Sequence, residues 1–444
     1  MKKNHFVLSA MVLSLGTFVA KILGALYRVP LTNLLGSYGL GLYQMVFPVY
    51  SVLLDFSGAG APSAISKLIS SLDENQRETK AKIILTKSLK FFLVLGLLGS
   101  FFMLIMSGII SKGQGDENAY LGYILLSPAI FFVCGMSCFR GYFQGFMNMT
   151  PTAVSQIIEQ VIKISLGLIF VRLLLPSINY AVGGATLAIT VSEIVAFVFL
   201  FSCYKISLRK TKENVRVKTE EKGIIKQILR YLIPITLIGV LIPISQVIDS
   251  FIIVNALKNY SQNSTKLYGL FSGVASTVIN LPVSICYGVA TATIPLISKQ
   301  KSEKNKHKSI KKSIFLTLIL SVPSAIICYI FSFNIINILF KNLALEDKVI
   351  SANLIKIMSI GVIFLSMLQS TNAILIGLNK QFYPILSMGI GVVLKIILEF
   401  VLIFNPKINI YGAGIALIAC YFVANLLNLI RIFTLRNKNE EKRN

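Results

Sequence analysis

Apolar and polar stretches alternate along almost the whole chain, and the apolar stretches define its class. Each apolar run is about 18 to 25 residues long, which is the length a helix needs to cross a bilayer. Short stretches rich in charged or turn-forming residues separate the runs. We count twelve runs and expect each to form a transmembrane helix. The approximate spans are 6–28, 40–66, 88–110, 119–140, 152–175, 181–204, 228–256, 267–297, 312–340, 350–376, 384–404 and 411–433.

A pattern that surrounds the fifth run returns in altered form about half a chain later. Lys163 follows Gly145 by 18 residues, and Lys395 follows Gly377 by the same interval, with a proline between glycine and lysine each time. Such self-similarity predicts two related halves. Because each half holds an even number of helices, both halves have the same orientation in the membrane. We therefore expect an all-α integral membrane protein of about twelve transmembrane helices, in two pseudo-symmetric six-helix halves around a central cavity.

The same pattern predicts the domain organisation. The N-terminal six-helix half covers 1–204 and the C-terminal half covers 228–436. Between them, 205–227 is polar, basic and without apolar period, which is typical of a cytoplasmic linker. The last residues, 437–444, form a cytoplasmic tail.

Composition agrees with a membrane protein and narrows its chemistry. Hydrophobic residues make up 55% of the chain, charged residues 14%, and the mean hydropathy is +0.75, far outside the soluble globular range. The six cysteines all fall inside predicted helices, so we expect neither a disulfide framework nor a metal site.

The net charge of +25 reflects membrane topology rather than binding to nucleic acid. Most lysines and arginines fall on alternate loops, which is the asymmetry expected when both termini are cytoplasmic. The basic stretches 205–230 and 299–312 are also placed to touch anionic lipid head groups. We expect membrane lipids, and no nucleic acid, as partners.

Three charged residues interrupt the first two apolar runs. Lys21 lies deep in the first run, too far from either surface to snorkel easily, so an inward-facing role is favoured. Arg28 lies near the outer end of that run, where snorkelling is an adequate alternative. Asp55 in the second run is either an ion or proton site or a counter-ion to one of these cations, and the counter-ion role is favoured.

The repeated helix carries a charge pair in both halves. Gln156, Glu159 and Lys163 share one face of the fifth run at helical spacing, which favours a surface that lines water or a ligand. A polar clamp between two helices is the alternative. Glu159 lies one turn from Lys163, and Glu399 lies one turn from Lys395, so we expect each carboxylate to pair with its lysine.

Two further carboxylates lie in apolar runs. Glu193 in the sixth run is a candidate partner of either repeated lysine, and Asp249 in the seventh is a candidate for binding a cation or for capping a polar contact. Buried charges of this kind mark functional sites in membrane proteins. A cavity rich in cations suits an anionic substrate. The candidate substrate-binding residues are Lys21, Arg28, Lys163 and Lys395.

Several motifs together resemble one family of exporters. The stretch 21–32 reads K-x-L-G-x-x-Y-R-V-P-L-T, followed by GLGLYQMVFPVYS at 39–51. Three more are QGFMNMTPTAVSQIIEQVIK, LIPISQVIDS and LYGLFSGVASTVINLP, which begin at Gln144, Leu241 and Leu267. They resemble the stage V sporulation protein B and lipid II flippase group of the multidrug, oligosaccharidyl-lipid and polysaccharide exporter superfamily.

This chain departs from the family pattern at two points. The first basic position of the helix-one motif is usually arginine in the family and is Lys21 here, which keeps the charge but lacks the fork that matches pyrophosphate. Family members commonly have fourteen helices, whereas this chain ends soon after the twelfth run. If the extra pair houses a lipid tail, its absence weakens the assignment to lipid II in particular.

The resemblance implies a flippase of the bacterial cytoplasmic membrane that moves a polyprenyl-pyrophosphate-linked saccharide, lipid II or another envelope precursor, by alternating access. It implies no catalytic residues and no cofactor, with coupling to the membrane potential or to a monovalent cation left open. Cell-envelope synthesis proteins are candidate partners. One alternative is a proton- or sodium-coupled drug or cation antiporter of the same superfamily. Another is a membrane glycosyltransferase or polymerase, which usually needs acid or base residues on a substantial loop.

Overall fold

The computed structural model describes residues 2–73, 77–210, 223–298, 300 and 302–441, and these are helical without any strand. The predicted linker and tail therefore lie partly outside the described residues. The fifteen α-helices are α1 (Lys2–Leu54), α2 (Ala61–Ser70), α3 (Arg77–Gln114), α4 (Tyr120–Gly145), α5 (Thr150–Leu174), α6 (Ile178–Lys210), α7 (Ile224–Gly239), α8 (Leu241–Lys258), α9 (Ser264–Tyr268), α10 (Ser276–Ser298), α11 (Glu303–Ile330), α12 (Ser332–Leu339), α13 (Leu345–Gly377), α14 (Phe382–Leu402) and α15 (Tyr411–Glu441).

The helices confirm the predicted all-α membrane fold. Within the described residues, ten helical stretches are long and apolar enough to cross a membrane, and the first of them, Met11–Ser70, covers the first two predicted runs. Helix α5 is not among the ten. The chain is a multi-pass membrane protein.

Several helices are interrupted, some of them where the sequence predicted one unbroken span. In α1 the backbone leaves the helical region at Gly36, where φ is +68°, and this break falls between the predicted runs 6–28 and 40–66. That conformation favours glycine, because a side chain would be strained there. The seventh run is divided into α7 and α8 next to Gly239, and the eighth run contains a π-helical segment over Gly269–Ala275. Interrupted membrane helices of this kind are typical of transporters.

By its internal contacts the chain forms two compact units. Unit 1 comprises Met1–Leu35 and Met45–Val247, and unit 2 comprises Gly36–Gln44 and Ile248–Asn444. Residues 228–247, which the sequence analysis assigned to the C-terminal half, group with unit 1 by contacts. The division into sequence halves stays a prediction.

In unit 1 the most embedded helix is α4, which packs against α2, α3 and α6. An aromatic group joins α4 to α6, where the ring of Phe139 lies 5.5 to 5.9 Å from those of Phe197, Phe201 and Tyr204. Helices α5 and α6 pack along their length. Aromatic contacts of this kind add to the packing energy of an apolar interface.

Unit 2 repeats this arrangement with different residues. Its most embedded helix is α13, which packs against α10, α11 and α15, and α14 packs against α15 as α5 packs against α6. The short segment 36–44 belongs to this unit. A Cβ on Gly41 would lie 2.1 Å from the carbonyl oxygen of Thr265, so only glycine allows the backbones to approach this closely.

The sequence repeat has a direct structural counterpart. Each glycine ends its helix, and two residues later Met147 and Asn379 adopt φ of 59° and 58°. The lysine is then thirteen residues beyond the first residue of the next helix in both copies, 150 to 163 and 382 to 395. The repeated motif therefore places a lysine at the same depth of equivalent helices.

Candidate functional site: two buried charge clusters

In unit 1 the polar face of α5 is tied to α4 by an arginine. The Arg140 guanidinium lies 3.1 Å from a carboxylate oxygen of Glu159, and its Nε donates to the Ser155 hydroxyl at 3.1 Å. Gln160 donates to the other Glu159 oxygen at 3.1 Å. The sequence analysis paired Glu159 with Lys163; Glu159 does act electrostatically on Lys163, but the direct ion pair of this carboxylate is made with Arg140. The guanidinium of a neighbouring helix reaches the carboxylate instead.

The first part of α1 packs on the same face of α5. The Thr17 hydroxyl donates to the Gln156 side-chain oxygen at 2.9 Å. Close approach is allowed by Gly16, where a Cβ would lie 2.6 Å from the Cβ of Ala153. Helix one, which carries Lys21 and Arg28, is thus held against the helix that carries Lys163. Within this unit the Lys21 side chain is exposed and Arg28 is half-buried.

Lys163 lies in an electrostatic environment set by both signs of charge. The groups that act on it are Glu159, Glu193 and Arg28. Glu193 on α6 is only 5% exposed, and one of its oxygens has no hydrogen-bond partner among the described residues. Its neighbours include Arg140 and Lys163. We call the set Arg28, Arg140, Glu159, Lys163 and Glu193 the first cluster. It holds three cations and two carboxylates.

Asp55 lies beside the end of α7. It begins a π-helical segment, Asp55–Ala59, and is half-buried. A Cβ on Gly239 would lie 3.5 Å from its carboxylate, so Asp55 faces the end of α7. Its favoured role as a counter-ion to Lys21 or Arg28 stays a prediction.

Unit 2 contains a second buried cluster at the equivalent lysine. Lys395 Nζ lies 2.5 Å from an oxygen of Asp249 on α8, and both side chains are almost fully buried. Glu399 is 0% exposed, and neither of its oxygens has a hydrogen-bond partner in the described part of the chain. The charged groups that act on it are Asp249 and Lys395. We call Asp249, Lys395 and Glu399 the second cluster.

The second cluster adds a partner to the pair that the sequence analysis expected between Lys395 and Glu399, which do act on each other electrostatically. The ion pair is made with Asp249 from another helix. Lys395 is 2% exposed, so its place among the substrate-binding residues stays a prediction. One lysine here faces two carboxylates. Buried carboxylates in excess suit a proton or a small cation, which would balance the charge.

Sequence reasoning missed one further group, in the segment that joins unit 2 from helix one. Asp347 accepts a hydrogen bond from the Ser37 hydroxyl at 2.7 Å and forms an ion pair with Lys266 at 2.8 Å. Gln44 donates to the Ser272 carbonyl at 3.0 Å. The only sequence signal was a carboxylate near the start of α13, where a helix N-terminus favours negative charge. These contacts anchor 36–44 within the unit.

In the described residues no group of three or more metal-ligating side chains is found. The fold and the two clusters define a class, the all-α multi-pass membrane protein with charged groups buried among its helices. A solved structure of a multidrug resistance MATE family transporter of the MOP superfamily, inward-facing, matches with a TM-score of 0.81 at 17% identity, over 97% of this chain and 99% of that one.

The sequence comparisons are more specific. The chain belongs to the polysaccharide biosynthesis protein family, whose model matches residues 6–301. A second family model, MatE, matches residues 272–401. Stage V sporulation protein B of Bacillus subtilis is 27% identical over 96% of this chain and 83% of its own length. Lipid II flippase MurJ of the same organism is 28% identical over 94% of this chain and 80% of its own length. The resemblance inferred from the motifs is confirmed.

Proposed function

We propose that this protein is a flippase that moves a polyprenyl-pyrophosphate-linked saccharide across the cytoplasmic membrane by alternating access. Lys21, Arg28 and Lys163 contact the anionic head group in this proposal. Two relatives named for sporulation and for lipid II flipping support the substrate class. Membership of the polysaccharide biosynthesis family agrees with it.

The observation that carries the proposal is the excess of cations in the first cluster. A cation facing the centre of a bilayer costs about 2.5–3.5 kcal/mol on insertion scales. Glu159 and Glu193 neutralise only part of Arg28, Arg140 and Lys163. An anionic phosphate brought into this environment would be held by charge-assisted hydrogen bonds, which are the stronger kind. Within the first cluster three cations therefore face two carboxylates, and this composition suits an anionic head group.

Substitutions at Lys21 test the role of helix one. We expect Lys21→Met to abolish complementation of a flippase-depleted strain, because the charge that faces the head group is lost. We expect Lys21→Arg to retain most of it, since arginine keeps the charge and adds a phosphate-matching fork. Membrane levels checked by immunoblot separate transport from insertion.

Lys356 provides the matched control for that experiment. It also lies within a long membrane helix, α13, and its side chain is exposed. The proposal expects Lys356→Met to support growth. If Lys21→Met supports growth at normal abundance, the head-group role of this residue is wrong.

A coupled antiporter remains the second candidate, and the second cluster is the observation that favours it. Asp249 and Glu399 share one buried lysine, Lys395. The MatE model matches residues 272–401, which include this lysine. In either function the cluster would couple transport to a proton or a monovalent cation. Depletion of the protein distinguishes the two. If the protein is a flippase, its depletion causes a lipid-linked precursor to accumulate on the inner leaflet. If it is a drug antiporter, its depletion leaves precursor levels unchanged and reduces the efflux of cationic dyes.

The topology predicted from the sequence places both termini and the linker in the cytoplasm. A cysteine at Asn214, in the predicted linker, should resist an impermeant external thiol reagent in intact cells. A cysteine at Glu117, which is exposed between α3 and α4, should react. If Asn214→Cys is labelled and Glu117→Cys is not, the orientation of the protein in the membrane is the reverse of the predicted one.

A further inference from the structure

Between α10 and α11, within unit 2, lies a cavity that the proposed transport mechanism does not use. Its volume is about 510 Å³, which falls in the usual range for a bound small molecule. It lies near the chain connection between two membrane-crossing stretches, Ser264–Ser298 and Asn305–Ile330. Because such a connection joins two membrane-crossing stretches at one surface, we expect the cavity to lie near the boundary between head groups and acyl chains.

The polar lining of the cavity is cationic. Lys308 and Lys312 are one helical turn apart on α11 and lie on the same face, together with Asn305 and Ser309. Gln300 adds an amide from the connection. No carboxylate is found among the described lining residues. Two ammonium groups with neighbouring hydrogen-bond donors suit a phosphate group.

The end of the cavity away from the chain connection is apolar and accessible. Leu316, one turn beyond Lys312, lines it and is 38% exposed, and Leu296, 55% exposed, lines the cavity beside the polar end. At Gly288 an added Cβ would meet no atom within 4 Å, so there is free space on this side. The wall therefore changes from basic to apolar along its length, as an amphiphile with one charged end requires.

We propose that this cavity binds an anionic phospholipid of the surrounding membrane. The phosphate group lies against Lys308 and Lys312, and the start of an acyl chain lies against Leu296 and Leu316. The charge complementarity identifies the head group, and the apolar wall identifies a lipid rather than a free anion. This site is separate from both charge clusters and does not depend on the proposed substrate.

Lipid binding to the purified full-length protein tests the proposal, with phosphatidylglycerol as the probe and phosphatidylcholine as the zwitterionic comparison. Native mass spectrometry in detergent should show preferential retention of phosphatidylglycerol. The double variant Lys308→Gln/Lys312→Gln should weaken that retention by roughly tenfold or more, because each cation near an anionic head group contributes substantially to binding. Lys311→Gln removes an exposed lysine of the same helix outside the cavity lining and should change retention less than about twofold.

A second pair of variants separates the cavity from charge alone. Gly288→Leu fills the apolar end without altering any charge and should also reduce phosphatidylglycerol retention. Gly389→Leu is the matched control, because its added side chain likewise meets no atom within 4 Å but lies on α14. Unfolding temperatures without added lipid verify that all variants fold.

Three results would overturn the proposal. Equal retention of phosphatidylglycerol and phosphatidylcholine would remove the preference for a phosphate-bearing anion. Equal retention by Gly288→Leu and Gly389→Leu would place the lipid elsewhere. Displacement of phosphatidylglycerol by millimolar inorganic phosphate would show that the ligand is a free anion and not a lipid.

Discussion

Lys163 and Lys395 lie at the same position of a repeated helix, but their neighbours differ in kind. The cluster that contains Lys163 also holds two further cations, Arg28 and Arg140, and two carboxylates. Around Lys395 there are two carboxylates and no second cation among the described residues of the cluster. The same repeat thus supports a cation-rich environment in unit 1 and a carboxylate-rich one in unit 2.

A repeated sequence motif can therefore determine where a lysine lies along its helix without determining the role of that lysine. The helix and its preceding turn set the depth of each lysine. The role depends on residues of other helices, which the two units do not share: Arg140 in one, Asp249 in the other. An environment with excess positive charge attracts an anion, whereas one with excess carboxylate attracts a proton or cation.

The largest expected effect comes from breaking the second cluster. Lys395→Met leaves Asp249 and Glu399 together in a fully buried place with no cation. We expect a loss of about 3–5 kcal/mol in the free energy of unfolding, or no folded protein. Adding Asp249→Asn should restore most of it, because a lone buried carboxyl can take up a proton and stay neutral. Thermal unfolding in detergent measures both. A double variant as unstable as Lys395→Met would show that the lysine stabilises by packing rather than by charge.

A smaller effect is expected at the ion pair of the first cluster. Arg140 and Glu159 retain 14% and 18% side-chain exposure, so water screens them more than it screens the second cluster. A double-mutant cycle of Arg140→Gln and Glu159→Gln should give a coupling energy of about 1–3 kcal/mol. The same cycle with Lys163→Met in place of Arg140→Gln should give a smaller coupling energy. A larger coupling to Lys163 would restore the pairing that the sequence suggested.

These pairs show where sequence reasoning succeeds and where it ends. Apolar run length and the glycine-to-lysine interval predicted the twelve helical runs and the repeat, because both are properties of the chain in order. The partners of Glu159 and Lys395 were missed because a carboxylate one turn away always looks nearest in sequence, whereas the observed cations and carboxylates come from other helices.

Arg140 was missed for a related reason. It is the last residue of the predicted run 119–140, where a charge reads as the edge of a membrane span, yet α4 continues to Gly145 and keeps Arg140 half-buried. The Asp347 contacts were missed because they join the segment 36–44 to α13 across some three hundred residues of chain. A sequence alone carries no measure of such distances.

Binding of a polyprenyl pyrophosphate to the purified protein tests most directly whether the two clusters have different roles, with the uncharged polyprenol as the reference ligand. We predict that Lys163→Met lowers the affinity for the pyrophosphate by roughly tenfold or more, as expected for one lost charge-assisted contact. The charge-balanced variant Asp249→Asn/Lys395→Met should leave that affinity within about twofold of the original protein. Equal losses in both variants, or a loss confined to the second, would contradict the assignment of head-group binding to the first cluster.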